Sequence, residues 1–227
     1  MTQGLQRVAM LGGTVLCTAA FSFGGWAVVT VDDVPDYLVA GKPLPVSFVV
    51  RQHGATLLGG LSPSVTIQSG ATQTSIAARA TGGSGHYAAN VTVPSAGEWT
   101  ITVNSGFGPS KTTLMPLKAI DAGAAPPPPL SDADRGLRLF VAKSCTTCHM
   151  RGSLGVDGMK VGPDLTGRRY VAEYVAKFLA DPERSPLAGP NTGQTRMPNL
   201  NLREREVAAL VSYLNSDLMV SSRNSLR

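Results

Sequence analysis

The chain has 227 residues, which is enough for two modest domains. Only 15% of its residues are charged, whereas 25 are glycine and 16 are proline. This balance argues against a chain of long solvated helices and favours short strands and ordered loops in at least one domain. The formal net charge is +5, and most of it lies beyond residue 130.

The N-terminus predicts a signal peptide or an N-terminal membrane anchor in residues 1–25. Arg7 precedes an uncharged run from Val8 to Val31. That run can supply the apolar core of a signal peptide, with cleavage near residues 20–22, or a single bilayer span. In both cases the rest of the chain is expected in the periplasm or on the outer face of the cytoplasmic membrane. We therefore expect no nucleic-acid partner, and any structural thiols would be expected to pair.

Residues 26–120 alternate apolar and polar residues over short runs that are separated by turn signals. Such a pattern predicts about seven short strands and an all-β, immunoglobulin-like sandwich. We expect Trp26 and Trp99 to pack in its core. The runs are WAVVTV, LPVSFVVR, SVTIQS, QTSIAARA, HYAANVTVP, EWTITVNS and KTTLMPLKA.

Residues 121–130 form the predicted linker between two domains. Four consecutive prolines, Pro126 to Pro129, donate no backbone hydrogen bonds and favour the extended polyproline conformation. We expect a semi-rigid spacer and a domain boundary here.

Residues 131–227 change to a helical period and predict an all-α domain. Ser131 resembles a helix N-cap, a second helix is expected from Tyr170 to Leu179, and a third is expected from a cap at Asn201 with Glu204 three residues on. Three helices with long loops bury only a small core. Another group is therefore expected to fill it.

The sequence Cys145-Thr146-Thr147-Cys148-His149 follows the first predicted helix. This spacing is typical of haem attachment, in which two thiols bind the haem vinyl groups and the histidine ligates iron. A zinc site or a redox dithiol also uses paired cysteines. Zinc would need two more ligands and a dithiol of the thioredoxin type would need a βαβ unit, and neither is evident in the sequence.

The region from residue 130 to residue 217 resembles a class I cytochrome c. Gly136 and Phe140 match the family positions at which the first helix meets the last one, where Leu210 and Tyr213 would face them. Pro163, in the run Val161 to Leu165, matches the residue whose carbonyl accepts the Nδ1 hydrogen of the haem-ligating histidine. The resemblance implies one covalently attached haem c, bound through Cys145 and Cys148.

Met197, in the run Arg196-Met197-Pro198-Asn199, resembles the family's sixth iron ligand. It follows His149 by enough chain to reach the other face of a haem, whereas Met150, Met159 and Met219 are placed less favourably. The alternative is a methionine of the core. With His149 and Met197 both bound to iron, no position is open for substrate, so we expect electron transfer and no catalytic residue.

Tyr170 with Arg168 or Arg169 could bind the haem propionates, as residues after this loop do in the family. The alternative is a solvated basic pair beside a tyrosine that starts a helix.

The motifs Gly85-His86-Tyr87 and Gly97-Glu98-Trp99 resemble the YtkA-like or FixH-like β-sandwich family. Because some relatives accompany copper handling or oxidase assembly, His53, His86 and Met115 are candidate copper ligands. Scattered histidines and a methionine in strands are also ordinary polar or core residues. A copper-handling, assembly or sensor module with an accessory haem is the alternative function.

The haem side of the chain is the more basic one. A positive rim there would steer an acidic redox partner, whereas a solvated basic face is the alternative. The rim cations are Lys143, Arg151, Lys160, Arg168, Arg169 and Lys177.

We expect a carrier or a cytochrome subunit of a membrane respiratory or photosynthetic complex, with the sandwich as a docking or tethering module. A haem enzyme would need an open sixth position, which conflicts with Met197.

Overall fold

The structure is a computed structural model that describes residues 25–155, 161–183 and 197–217. The predicted export or anchor segment lies outside these residues, apart from Gly25. The longest helices in the described part of the chain have 11 residues, and none there has the length and hydropathy of a bilayer span.

The N-terminal region is built from two β-sheets. The first sheet has the strand order β1-β3-β8-β7, with β4 also paired to β3, and the second has the order β2-β11-β9-β5-β6, with β10 also paired to β9. All pairs are antiparallel except β2 with β11. The strands are β1 (Ala27–Val31), β2 (Leu38–Val39), β3 (Leu44–Gln52), β4 (Thr56–Leu57), β5 (Ser64–Ser69), β6 (Thr72–Ala77), β7 (Arg79–Ala80), β8 (His86–Val91), β9 (Gly97–Asn104), β10 (Lys111–Thr113) and β11 (Leu117–Ile120).

Apolar side chains from both sheets fill the core between them. Trp99, Phe48 and Ile101 are almost fully buried there, which confirms the predicted place of Trp99. The prediction for Trp26 is wrong. Trp26 precedes β1, is half-buried, lies outside the core and meets the ring of His53 edge-on at a centroid distance of 5.5 Å.

The C-terminal region contains three described α-helices, α1 (Asp132–Ala142), α2 (Ala172–Ala180) and α3 (Glu204–Leu214). Ser131 caps α1 as predicted, because its Oγ accepts a hydrogen bond from the Asp134 N–H at 3.1 Å. Helix α3 is capped at Arg203 rather than at Asn201. The Glu206 carboxylate accepts the Arg203 N–H at 2.9 Å, and this closes the first turn two residues later than predicted.

Helices α1 and α3 cross in close contact at Gly136. A Cβ atom on Gly136 would overlap the Ala209 carbonyl and would lie 2.6 Å from Tyr213 Cβ, so only glycine fits this crossing. The rings of Phe140 and Tyr213 pack at 5.5 Å, as the resemblance implies. The predicted partner Leu210 is buried, but the closest approach to Gly136 is made by Ala209.

The two regions also contact each other through charged groups, which the sequence did not predict. Arg135 donates to both carboxylate oxygens of Asp36, at 2.7 and 2.9 Å. Lys143 Nζ donates to the Asp32 carbonyl at 2.7 Å. A further pair joins Arg203 to Asp33.

Apolar side chains cross the same boundary. Ala142 of α1 is fully buried and belongs to the core of the sandwich, whereas Met115, between β10 and β11, packs against the helical core. The two regions therefore share a contact surface despite the proline segment between them.

Candidate functional site

The paired cysteines lie on one tight turn directly after α1. Ser144 adopts a left-handed conformation with φ of +56°, and a 3-10 turn follows over Cys145–Thr147. The Cys145 carbonyl accepts hydrogen bonds from the N–H groups of Cys148 at 3.2 Å and His149 at 2.9 Å. This single turn therefore holds two thiols and an imidazole in a fixed order.

Both thiols are free in the described structure, and burial governs their chemistry. Burial, with a smaller contribution from the neighbouring Cys148, raises the pKa of Cys145 to about 12, and burial also raises the pKa of Cys148. At neutral pH both groups are therefore neutral thiols. The described residues contain no group of three or more His, Cys, Asp or Glu side chains that could hold a metal ion, so the zinc alternative gains no support from them.

The loop after residue 160 orients the imidazole of His149. The distance from His149 Nδ1 to the Pro163 carbonyl oxygen is 2.9 Å. Because a carbonyl can only accept, the hydrogen bond requires the ring proton on Nδ1, and this leaves the Nε2 lone pair for a metal. The contact with Pro163 is the one that the resemblance implies.

Gly162 lies directly against the same ring, and the sequence analysis assigned it no role. A Cβ atom at this position would lie 2.5 Å from His149 Cε1 and 2.7 Å from His149 Nδ1, so any side chain would displace the imidazole. The signal for this close packing in the sequence is the glycine directly before Pro163.

Backbone bonds tie this loop to the cysteine turn. The Gly162 N–H donates to the Cys148 carbonyl at 2.8 Å, and the Leu165 N–H donates to the Met150 carbonyl at 2.8 Å. The loop therefore stays beside the turn on both sides of His149.

Arg151 joins three parts of the helical region from inside. Its guanidinium donates to the carbonyls of Leu165, Tyr213 and Ser216 at 2.9 to 3.1 Å, and the residue is 3% exposed. A buried cation of this kind stabilises the fold and does not steer a partner.

The predicted positive rim therefore needs correction. Lys143 is also buried, with its ammonium 3.2 Å from Glu206, so neither Lys143 nor Arg151 contributes to a solvent-exposed rim. Lys160 lies outside the described residues. The exposed members are Arg168, Arg169 and Lys177, of which Arg169 pairs with Asp217 and Lys177 pairs with Glu173.

Met197 borders the same core as Cys145. Both side chains are partly buried and pack against the cluster formed by the three helices. Arg196, Met159 and Met219 lie outside the described residues, whereas Met150 packs closely over Gly155. The structure thus brings Met197 to the core that the cysteine turn adjoins.

Tyr170 offers a polar group that fits a cofactor. Its hydroxyl is buried without a hydrogen-bond partner in the described structure, although its backbone N–H donates to Asn215 Oδ1 at 2.8 Å. Burial raises the pKa of Tyr170, so the hydroxyl remains a donor at neutral pH. A propionate carboxylate would satisfy this donor, and the exposed Arg168 lies two residues away in the sequence. Two thiols, an oriented imidazole and an unpartnered buried hydroxyl together fit haem c.

The three candidate copper ligands lie in different surroundings. His53 is exposed in the turn between β3 and β4 and contacts Trp26, His86 opens β8, and Met115 packs against the helical core. The described structure thus gives Met115 a packing role at the boundary between the two regions.

The comparisons with known proteins agree with this site. Residues 133–217 match the model of the family described as Cytochrome c. This match supports a cytochrome c domain in the C-terminal region, and that family binds covalently attached haem c and transfers electrons. No curated protein matches the chain.

Similarity to solved structures is weak. The chain is 11% identical to the ZirS C-terminal domain, with a TM-score of 0.31 and coverage of 53% of this chain and 86% of that one. It is 14% identical to a CARDB domain from Pyrococcus furiosus in complex with di-metal ions, with a TM-score of 0.25 and coverage of 41% and 87%. A Bacteroides vulgatus protein proposed to be a glycoside hydrolase is 20% identical, with a TM-score of 0.30, and the match covers 39% of this chain but only 17% of that protein.

Proposed function

We propose that this protein is a monohaem c-type cytochrome that transfers electrons. The observation that carries the proposal is the Cys145 to His149 turn with its imidazole held by Pro163, inside the region that matches the Cytochrome c family. A haem bound there supplies an iron that changes between the ferrous and ferric states by one electron.

The residues of the site have distinct roles in this proposal. Cys145 and Cys148 would hold the haem covalently through their sulfur atoms, and His149 and Met197 would ligate its iron. Pro163 fixes the imidazole tautomer, and Tyr170 and Arg168 bind the propionates. If His149 and Met197 both ligated the iron, no position would be open to a substrate, which would suit an electron carrier rather than an enzyme.

The N-terminal segment and the surface charge support a proposed location and a proposed class of partner. An exported or anchored chain places the haem in the periplasm or on the outer face of the cytoplasmic membrane, as a carrier or as a subunit of a respiratory or photosynthetic complex. The excess of basic over acidic residues beyond residue 130 suits an acidic redox partner, although the exposed Arg169 and Lys177 are paired with Asp217 and Glu173. The immunoglobulin-like sandwich, with its YtkA-like or FixH-like motifs, is a docking or tethering module.

Substitution of the proposed sixth ligand tests this function. In the oxidised wild-type protein we expect six-coordinate low-spin iron with a weak sulfur-to-iron absorption band, and in the reduced protein we expect poor binding of carbon monoxide. Met197→Ala should remove the band, admit carbon monoxide and lower the reduction potential, because the thioether stabilises ferrous iron. Absorption spectra and a redox titration of the full-length protein measure these effects.

Met115→Leu is the matched control, since it replaces another partly buried methionine of the same core. Its band and potential should stay close to the wild-type values. Ready binding of carbon monoxide by the wild-type protein, or an unchanged spectrum in Met197→Ala, would refute the axial role of Met197.

A further inference from the structure

Strand β1 is buried on both of its faces. Ala27, Val29 and Val31 point into the sandwich core. Val28 and Thr30 alternate with them and must point to the outer face, yet each is only 4% exposed. An antiparallel sheet that faced water on this side would expose them. The outer face of β1 is therefore covered by other parts of the chain.

One contact between the regions lies at the edge of β1, beside the haem-attachment turn. Ser144 Oγ is 2.5 Å from the Val29 carbonyl of β1 and 2.6 Å from Thr112 Oγ1 of β10, and Thr112 Oγ1 also donates to Val29 at 2.9 Å. All these hydroxyl groups are buried. Because Ser144 immediately precedes Cys145, this hydroxyl network fixes the start of the attachment turn to the sandwich.

A second contact between the regions lies beside the proposed sixth ligand. Gly54, in the turn between β3 and β4, is buried and has a φ of +76°. A Cβ atom on Gly54 would lie 3.7 Å from Val28 Cγ2 and 3.8 Å from Pro198 Cγ. Pro198 directly follows Met197, so the turn of the sandwich lies against the methionine segment.

A third contact between the regions is made by the buried charge of Lys143, the residue before Ser144. Lys143 Nζ donates to the Asp32 carbonyl after β1 at 2.7 Å and lies 3.2 Å from Glu206 Oε1 of α3. Both charged side chains are 7% exposed or less. A desolvated ammonium loses much of its stabilisation if either partner moves away, so this contact resists sliding of the helical region over the sheet.

We infer that the β-sandwich positions the haem ligands, in addition to any docking role. Its contacts at Val28, Gly54 and Thr112 support the segments that carry Cys145 and Met197, and thereby set the strength of the bond between Met197 and iron. The inference rests on the proposed function, because it takes Met197 as the axial ligand.

A substitution in the sandwich tests this inference from outside the haem domain. Gly54→Leu in the full-length haem-loaded protein should push the Pro198 segment away. We expect loss of most of the sulfur-to-iron band, a several-fold rise in the fraction of reduced protein that binds carbon monoxide and a lower midpoint potential. Gly41→Leu is the matched control, because Gly41 has the same φ of +76° but no atom within 4 Å of its Cβ position. It should match the wild type in all three measurements.

Ser144→Ala tests the hydroxyl contact with Val29 and Thr112, and it replaces the first test if Gly54→Leu yields no folded protein. It removes one hydroxyl and should shift the midpoint potential, whereas Ser75→Ala, which removes an exposed hydroxyl bonded to Thr66, should not. A wild-type protein without the sulfur-to-iron band would overturn the proposed function and this inference together. If the wild-type protein shows the band but Gly54→Leu and Gly41→Leu give the same band, carbon monoxide binding and midpoint potential, the inference alone is overturned. If Gly54→Leu does not fold, equal midpoint potentials of Ser144→Ala and Ser75→Ala would overturn the inference alone.

Discussion

The two regions of the molecule are stabilised in different ways. The sandwich has a core of interlocking aromatic and aliphatic side chains from two sheets, including Phe48, Trp99 and Leu117, and it needs no further group to fill it. The helical region has a smaller core and leaves the buried Tyr170 hydroxyl without a partner in the described structure. Burial of apolar surface alone can specify the first region, whereas the second depends on polar anchors and on a group that completes its core.

The anchors of the helical region are mostly bonds from side chains to backbone carbonyls. Arg151 binds three carbonyls, His149 binds that of Pro163, and Lys143 binds that of Asp32. Such bonds place loops accurately with little apolar surface. They suit a site whose loops must hold fixed ligands around a cofactor.

Removal of both thiols is expected to have the largest effect on the difference in stability between the two regions. In the double variant Cys145→Ser, Cys148→Ser we expect complete loss of covalent haem, because no thioether can form, and loosening of the helical region while the sandwich stays folded. Intact-mass measurement detects the haem, and limited proteolysis reports on the two regions separately. Thr146→Ser, in the same turn, should retain haem. Normal covalent haem in the double variant would refute the attachment site.

A smaller effect is expected at the charge that joins the two regions. Glu206→Gln leaves the buried Lys143 without its counter-charge, and breaking such a pair costs about 3–5 kcal/mol. We expect a drop of this order in the free energy of unfolding at neutral pH, measured by chemical denaturation. Glu173→Gln, in an exposed pair with Lys177, should change it by less than about 1 kcal/mol. Equal effects of the two substitutions would contradict the structural role of Glu206.

The same residue gives the stability a pH dependence. Burial alone would raise the pKa of Glu206, but hydrogen bonds from Arg203 and the charge of Lys143 lower it overall below its ordinary value of 4.5. A carboxyl with a lowered pKa stabilises the folded state above its unfolded pKa, and that stabilisation is lost as the pH falls through the folded value. The free energy of unfolding of the wild-type protein should therefore decrease as the pH is lowered from about 4.5. Glu206→Gln should make this decrease smaller.

The smallest effect is expected at the helix crossing, where the sign of the change in the free energy of unfolding distinguishes two expectations. Helix propensity alone predicts that Gly136→Ala would stabilise α1 by about 1 kcal/mol. The overlap with the Ala209 carbonyl predicts instead a loss of about 1–3 kcal/mol in the free energy of unfolding. Denaturation of the haem-loaded protein measures the change, and Ala208→Gly, at an exposed position of α3, gives the effect of propensity alone. A stabilised Gly136→Ala protein would contradict the close crossing.

The sequence predicted features that depend on local patterns. Alternation in runs such as that around Val29 and Val31 indicated strands, and Ser131 indicated the start of α1. Trp26 was wrongly predicted because it adjoins an apolar run without belonging to the strand. The spacing of Cys145, Cys148 and His149 indicated the proposed site because haem attachment requires these residues to be neighbours in sequence.

The boundary between the regions could not be predicted in this way. Arg135 pairs with a residue 99 positions away and Arg203 with one 170 positions away, so no periodicity or spacing connects the partners. Gly54 and Ser144 have ordinary roles in their local turns, and only the folded chain brings them beside Pro198 and Val29. Long-range polar contacts of this kind depend on the tertiary arrangement and leave no local signal.

The contact between the two regions changes the role expected for the proline segment. Ile120 ends the last strand and Asp132 begins α1, and both elements are fixed in the fold, so the chain between them closes a loop instead of controlling reach. For a flexible loop, each doubling of length costs only about 0.6 kcal/mol of closure entropy. Four prolines lower this cost further, because a stiff unfolded segment has less conformational freedom to lose. We therefore expect the prolines to contribute to stability by restricting the unfolded chain.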